Sequence, residues 1–298
     1  MSLTRTRRRA WAPPPMDGYR PMIINVALSG AMVGRRDNAQ VPLTPSEIIA
    51  DVLACAAEGA SVFHLHMRDE DGAPIHRRDL YEATLGGIRE AAPELVLCVT
   101  TSSRVNADLA ARVVGLDLDP AIRPEMASLT LGSFNFPRSV SNNPPEAIVA
   151  LLTEMKRLGV KPELEVFELG MVNTLWALRE RGLIDDPPVV NILLGSMGSA
   201  PAFVGDLGHL VERLPPGSEW AAAGIGIYQR PMTIAAAIMD GNVRTGLEDD
   251  PRGDGRKDWS NVHAVRLAVE AARLAGRPIA TPREARERFG LPPRPGTR

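Results

Sequence analysis

From about residue 22 onward, short apolar runs rich in β-branched residues alternate with longer stretches whose apolar positions recur at helical spacing. The runs fall at 22–28, 61–66, 95–100, 126–131, 163–167, 189–194, 220–225 and 242–247, which predicts eight strands. Strands alternating with amphipathic helices are the pattern of repeated βα units built on a parallel sheet. The helices carry their own boundaries. Thr44-Pro45-Ser46-Glu47 offers a capping hydroxyl, a proline for the first turn and a carboxylate that reaches back, and Glu58-Gly59 marks the stop. Asn143-Pro144-Pro145-Glu146 is read as opening a later helix in the same way, closed at Leu158-Gly159, and Thr281-Pro282-Arg283-Glu284 as opening a short terminal one. Eight such units suit a single-domain α/β fold, the (β/α)8 TIM barrel, over residues 21–298. An open doubly wound sheet has the same alternation and is not excluded by counting strands. Residues 1–20, with Arg5, Arg7, Arg8 and Arg9 followed by Pro13, Pro14 and Pro15, are read as a flexible leader.

Composition narrows the class. With 298 residues, 44% apolar and 23% charged, the chain is an ordinary globular protein, and disorder, collagen and coiled coil are poor readings. The 34 basic and 36 acidic residues leave a net charge of -2, so neither nucleic acid nor a membrane surface is expected as a partner. Cys55 and Cys98 sit in apolar runs and make no disulfide framework, which fits a reducing, cytoplasmic location. No segment has a signal-peptide core or the roughly 18 apolar residues of a spanning helix.

In a (β/α)8 barrel the chemistry lies at the C-terminal ends of the strands, so polar residues at strand ends are the candidates. Phe63-His64-Leu65-His66 is the sharpest. Residues two apart on a strand share a face, so both imidazoles point inward, where unpaired polar groups are costly and a zinc-like metal would be well held. A third ligand is available in Arg244-Thr245-Gly246-Leu247-Glu248-Asp249: if the strand stays regular, Arg244, Gly246 and Glu248 share one face, making Glu248 the metal carboxylate. Asp249 is a candidate base, with Arg244 to orient it or to bind an anionic substrate. Glu163 and Glu165 also share a face, and Glu165 is either ion-paired or part of the site's supporting shell. Hydroxyls of Thr100, Ser128 and Thr130 could donate to a carboxylate or carbonyl, whereas Ser102 and Ser103 read slightly better as plain loop residues. His76, His209 and His263 are assigned to the surface. Gly224-Ile225-Gly226 lacks the third glycine and the acidic residue of a dinucleotide site, and neither a Walker lysine nor a Gly-x-Ser-x-Gly elbow is present.

Taken together, Leu28-Ser29-Gly30-Ala31, Pro42-Leu43-Thr44-Pro45, His64-Leu65-His66-Met67-Arg68, Pro124-Glu125-Met126-Ala127-Ser128, Pro162-Glu163-Leu164-Glu165-Val166 and Arg244-Thr245-Gly246-Leu247-Glu248-Asp249 resemble the β-keto acid cleavage enzymes, from about Pro21 to Leu291. The resemblance implies a zinc-dependent (β/α)8 barrel, with one zinc per chain. Its reaction condenses a β-keto acid with acetyl-CoA and returns acetoacetate and a new acyl-CoA. It also implies that His64, His66 and Glu248 are the zinc ligands, that Asp249 is the base coupled to Arg244, that Thr100, Ser128, Thr130 and Glu165 line the pocket, and that the protein is a homotetramer. Several positions depart from the family. Met32 replaces a carboxylate that suits a cationic amine, so a neutral substrate tail is expected. Ser102-Ser103 and Ser196-Met197-Gly198-Ser199 stand where glycine-rich turns are common, and Ile227 stands where a basic residue is often found. The bare constellation also suits a zinc-dependent aldolase or hydrolase, which acetyl-CoA dependence would separate, and a barrel that binds ligand without turnover is a further alternative.

Overall fold

The computed structural model describes residues 18–137, 139–256 and 258–294, so the leader read at 1–20 lies outside the described residues except for its last three positions. Among the described residues ten strands form: β1 (Ile24–Ala27), β2 (Val62–Leu65), β3 (Val96–Val99), β4 (Met126–Thr130), β5 (Phe134–Asn135), β6 (Val140–Ser141), β7 (Lys161–Val166), β8 (Val189–Leu194), β9 (Glu219–Gly224) and β10 (Asn242–Thr245). Eight of them close into a parallel barrel in the order β1-β10-β9-β8-β7-β4-β3-β2, which excludes the open sheet. Each barrel strand overlaps one predicted run. The remaining two, β5 and β6, make an antiparallel hairpin that the apolar pattern did not reveal, because a two-residue strand carries no alternation to read.

Local chemistry sets the helix ends. Thr44 caps α1 (Pro45–Ala57) with the reciprocal Glu47 contact, and Thr281 does the same for the terminal helix α9 (Pro282–Arg288). For α4 (Pro145–Leu158) the expectation fails in part. Its cap residue is Pro144, and Asn143 is used elsewhere, accepting from Arg112 and donating to Ser141. Gly159 closes α4 in the left-handed conformation, at φ 69°.

The strands alternate in what they face. Ile24 and Val26, Phe63 and Leu65, and Leu164 and Val166 join the large apolar core shared with the surrounding helices. The residues between them turn into the barrel: Asn25 on β1 donates to Glu163 on β7, two strands that are not neighbours in the sheet, so the bond crosses the lumen. A separate apolar cluster of Ile23, Val62, Val96, Met126 and Val189, all at strand beginnings, packs with Ala280, Ala285 and Phe289 around α9. The C-terminal segment therefore plugs the base of the barrel and leaves the opposite end for a site.

That plug is fixed by charge. Glu125, 8% exposed, accepts from Arg286 of α9 at 2.9 Å, from Arg294 at 2.6 Å and from the Leu97 N–H at 3.0 Å, and it also pairs with Arg89. Burial raises a carboxylate's pKa, but here Arg89 and Arg286 outweigh it and hold Glu125 below its ordinary range. A carboxyl depressed by folding stabilises the protein above its unfolded pKa, and that contribution is lost as pH falls through the folded value. Glu125→Gln is therefore expected to cost about 3–5 kcal/mol near neutral pH, since it leaves buried guanidiniums uncompensated. Urea unfolding across pH checks this: the gap from wild type should shrink on acidification below the ordinary glutamate range, and a gap independent of pH would contradict it.

Candidate active site

At the open end, β2 delivers His64 on the inward face and His66 just past its last residue, with Phe63 and Leu65 anchored in the core. The two imidazoles face each other, Nε2 to Nε2, at 3.0 Å. Glu248 brings carboxylate oxygens to 3.8 Å from His64 Nε2 and 3.6 Å from His66 Nε2. One ligand atom from each of the three lies within 4.8 Å of the others, so the group could hold a metal ion. The donor set fits a borderline first-row cation such as zinc, and the buried Glu248 Oε2, which has no hydrogen-bond partner in the protein, is what a ligand oxygen awaiting a cation would look like.

Behind His64 stands Glu163, its Oε2 3.3 Å from Nδ1. The other Glu163 oxygen is held by Asn25 at 2.6 Å. This carboxylate fixes which imidazole nitrogen of His64 faces the centre, the arrangement that orients metal-binding histidines. Sequence reading placed Glu163 on the correct face but gave it no role. The signal was the His-x-His motif itself, since a ligating histidine needs an acceptor on its far nitrogen.

Glu248 arrives by a different route from the one its spacing implied. β10 ends at Thr245, and Gly246 takes φ 136°, so the regular alternation that was to carry Glu248 inward is broken. The break is required: a Cβ at Gly246 would stand 2.2 Å from the Ala27 carbonyl oxygen. Gly30, at φ 60°, opens the matching space on the β1 loop, because a Cβ there would lie 2.5 Å from Glu248 Cγ. Arg68 fastens this loop by donating to the carbonyls of Ser29, Gly30 and Val33.

Arg244, 1% exposed, binds Asp249 through two bonds, Nε to Oδ2 at 3.0 Å and Nη2 to Oδ1 at 3.2 Å. The same Nη2 reaches Glu248 Oε1 at 3.0 Å, and Nη1 lies 3.5 Å from Glu165 Oε1. Thr130 Oγ1 donates to Glu165 at 2.6 Å, which takes up its proton. Thr100 Oγ1 accepts from the Ser102 N–H, so its own hydroxyl proton remains available. Burial pushes Asp249 and Glu165 up, opposed in each case by Arg244, and the neighbouring Glu248 adds to the rise at Asp249. Burial would also raise Glu248, but His66, Arg244 and His64 hold it down at about 2. Burial lowers the pKa of His66, outweighing Glu248, which raises it.

One cavity of about 470 Å³ gathers the residues predicted as metal ligands, base, orienting arginine and pocket lining. His64, His66, Glu248, Arg244 and Asp249 line it with Glu165, Thr100, Ser128 and Thr130, and Met32, 51% exposed, sits at its mouth. Ser102, Ser196 and Met197 also line it. Ser103 serves the loop, its Oγ accepting from the Asn142 N–H. His76 is corrected: it is half-buried, bonded to the Tyr81 hydroxyl at 3.0 Å and near the Ser102 carbonyl, because it packs beneath the β3 loop. His209 is exposed as expected, and His263 is half-buried beside Ser260. Arg104 and Phe136, which line the same cavity, had not been singled out.

The sequence matches the family profile described as beta-keto acid cleavage enzyme over residues 21–291. It is 37% identical over 276 residues to a 3-oxoadipate:acetyl-CoA acetyltransferase of Cupriavidus necator, covering 91% of this chain and 95% of that protein. A 3-keto-5-aminohexanoate cleavage enzyme of Acetoanaerobium sticklandii is 35% identical over 273 residues, covering 91% and 98%. In fold, the apo structure of ObcA superposes with a TM-score of 0.75 at 23% identity, over 85% of this chain and 66% of ObcA.

Removing the guanidinium from this network should be costly. Arg244→Met leaves three buried carboxylates without their shared cation, for an expected loss of about 3–5 kcal/mol at neutral pH. Acid should narrow the loss, since protonating Asp249 and Glu165 removes the uncompensated charge. Chemical denaturation at two pH values measures both effects, and a variant as stable as wild type at neutral pH would refute the assignment of Arg244 as the shared counter-ion.

Proposed function

We propose, from the premise that the chain belongs to the β-keto acid cleavage enzyme family, that it condenses a β-keto acid with acetyl-CoA and releases acetoacetate and a new acyl-CoA. Relatives in this family carry names of acetyl-CoA-dependent transferases and keto acid cleavage enzymes. The observation that carries the reading is the placement of Asp249, a buried carboxyl locked to Arg244, in the same cavity as the His64, His66 and Glu248 group.

His64, His66 and Glu248 would hold one zinc per chain, which when bound supplies Lewis acidity toward a keto oxygen. The remaining work falls to the protein's own groups. Asp249 takes the proton from the carbon between the carboxylate and the keto group, a role suited to a carboxyl whose pKa burial has raised. Arg244 fixes the direction of its lone pairs through the two-pronged bond and keeps it ionised before the proton arrives. The hydroxyls of Thr100, just past the end of β3, and of Ser128 on β4 line the cavity and would donate to the substrate carboxylate. Glu163 holds His64 in one tautomer. The carbanion attacks the acetyl-CoA carbonyl and expels the CoA thiolate; the thiolate then attacks the original keto carbon, and a reverse Claisen step leaves the acyl group on CoA and releases the acetoacetate enolate, which takes back the proton held by Asp249. Carbon, proton and thiol balance over the cycle.

Met32 at the pocket mouth gives a cationic tail nothing to pair with, and taken alone it supports an uncharged one. The family resemblance implies a homotetramer, and the buried, unpaired Cys55 and Cys98 fit a reducing cytoplasm. Ile234 and Ile238, one turn apart and exposed on α7 (Gln229–Ile238), offer an apolar face to a neighbouring subunit. Among the described residues, no helix is long and apolar enough to cross a membrane.

Elemental analysis and turnover of untagged protein test the assignments together. Wild type should hold about one zinc per chain, and His64→Ala should lose metal and activity together. Asp249→Asn should keep its metal while kcat falls about 10²- to 10⁴-fold; normal turnover in this variant would remove Asp249 from the role of base. Turnover without acetyl-CoA would favour an aldolase or hydrolase instead. Glu163→Gln should weaken metal affinity about 10- to 100-fold, read by competition with a chelator. Unchanged affinity would reduce Glu163 to a packing residue.

A further inference from the structure

The catalytic network consumes its own charges. Arg244 is matched by Asp249, Glu248 and Glu165, and Arg68 is bound to backbone carbonyls of the β1 loop. Two further cations line the cavity wall, and one of them, Arg252, is exposed. Arg104, five residues beyond the end of β3, is half-buried and lines the cavity, yet no carboxylate among the described residues comes within ion-pair distance of it. Its position is nonetheless fixed. The guanidinium lies over the Phe136 ring at 3.8 Å, and its Nε donates to Ser139 Oγ at 3.0 Å. Phe136 is itself braced by Phe134 at 4.4 Å and Phe167 at 5.6 Å between ring centroids. With one face stacked and Nε engaged, both Nη groups remain without a partner among the described residues. A partly desolvated guanidinium held in this way is an anion-binding fork, matched in shape to a carboxylate.

The acids at the floor, Glu165 and Glu248, lie near enough to be felt electrostatically by Arg104 and too far to pair with it, which leaves room between for a bound molecule. The carboxylate next to the reacting carbon must stay close to Asp249, where the hydroxyls of Thr100 and Ser128 serve it. Arg104 stands on a loop beyond those strand ends, against the β5–β6 hairpin, and so faces the far end of the substrate. Resting on the cleavage reading above, we propose that Arg104 is a specificity-determining residue that binds a second carboxylate at the distal end of the keto acid, making the substrate a β-keto dicarboxylic acid. Met32 alone implies an uncharged tail; Arg104 adds the positive charge that selects an anionic one.

The test pairs turnover with binding. For turnover, a six-carbon β-keto monoacid and the six-carbon β-keto diacid are compared with acetyl-CoA in wild type, Arg104→Gln and Arg104→Lys. For binding, the unreactive pair hexanoate and adipate is titrated calorimetrically into the same metal-loaded proteins. Wild type should prefer the diacid in both measurements. Arg104→Gln should lower the diacid-to-monoacid ratio about 10- to 100-fold, and Arg104→Lys, which keeps the charge but not the fork, should recover part of it. Equal losses on monoacid and diacid would place Arg104 at the carboxylate common to both, and a change confined to the KM for acetyl-CoA would place it on a CoA phosphate; either overturns the proposal. A wild type with no preference for adipate over hexanoate overturns it as well. If no keto acid turns over but the adipate preference is present and vanishes in Arg104→Gln, the anion site stands and the cleavage reading fails.

Discussion

A single guanidinium holds this site together. Arg244 is almost fully buried and spans Asp249, Glu248 and Glu165, so three carboxylates, one from β7 and two from the loop after β10, share a single buried cation. Desolvating so many charges is expensive, and an apolar filling of the same volume would make a more stable barrel. What the network provides instead is differentiation. Glu248, nearest the histidines, is held well down, while Asp249 and Glu165 are pushed up. Three acids of similar intrinsic strength thus differ in how readily they hold a proton because of where each meets the one cation.

The barrel divides this chemistry from its scaffolding. At the base, Glu125 is surrounded by Arg89, Arg286 and Arg294, a cluster of opposite balance, with one acid among several bases. It ties the C-terminal helix under the strand beginnings and has no free coordinating oxygen to offer, since its oxygens are taken up by guanidiniums and by a backbone amide. At the other end Glu248 keeps a buried oxygen without a hydrogen-bond partner. The two buried carboxylates are therefore told apart by satisfaction: Glu125, with both oxygens bonded, holds the fold, whereas Glu248 keeps an oxygen open toward the cavity.

How much of this could be read from the sequence follows from the range of each interaction. Strand faces are local, since a period of two fixes them, and so His64 with His66 and Glu163 with Glu165 were sorted correctly before any coordinates. Helix caps are local too, and the Thr44 and Thr281 boxes formed as read, whereas at Asn143 a distant arginine captured the side chain that should have capped. The bond between Asn25 and Glu163 joins residues 138 apart across the lumen, and no pattern along the chain announces it. Arg104 was missed for the same reason. It sits in a serine-rich loop that reads as ordinary, and what makes it distinctive is Phe136, on a hairpin too short to show a period.

Glu248 faces the cavity, as its strand parity predicts, for a reason that the parity does not contain. Parity carried it inward only on the condition that β10 continue, and β10 stops at Thr245. The glycine that breaks the strand is what brings Glu248 and Asp249 to bear on the same arginine: in a regular strand adjacent residues face opposite ways, and the two carboxylates could not both reach Arg244. Gly246 supplies the turn through a conformation closed to side chains, and Gly30 supplies the vacancy into which Glu248 fits. Glu248 and Asp249, consecutive in the chain, thus converge on one cavity because a backbone irregularity is paired with a missing side chain on the neighbouring loop.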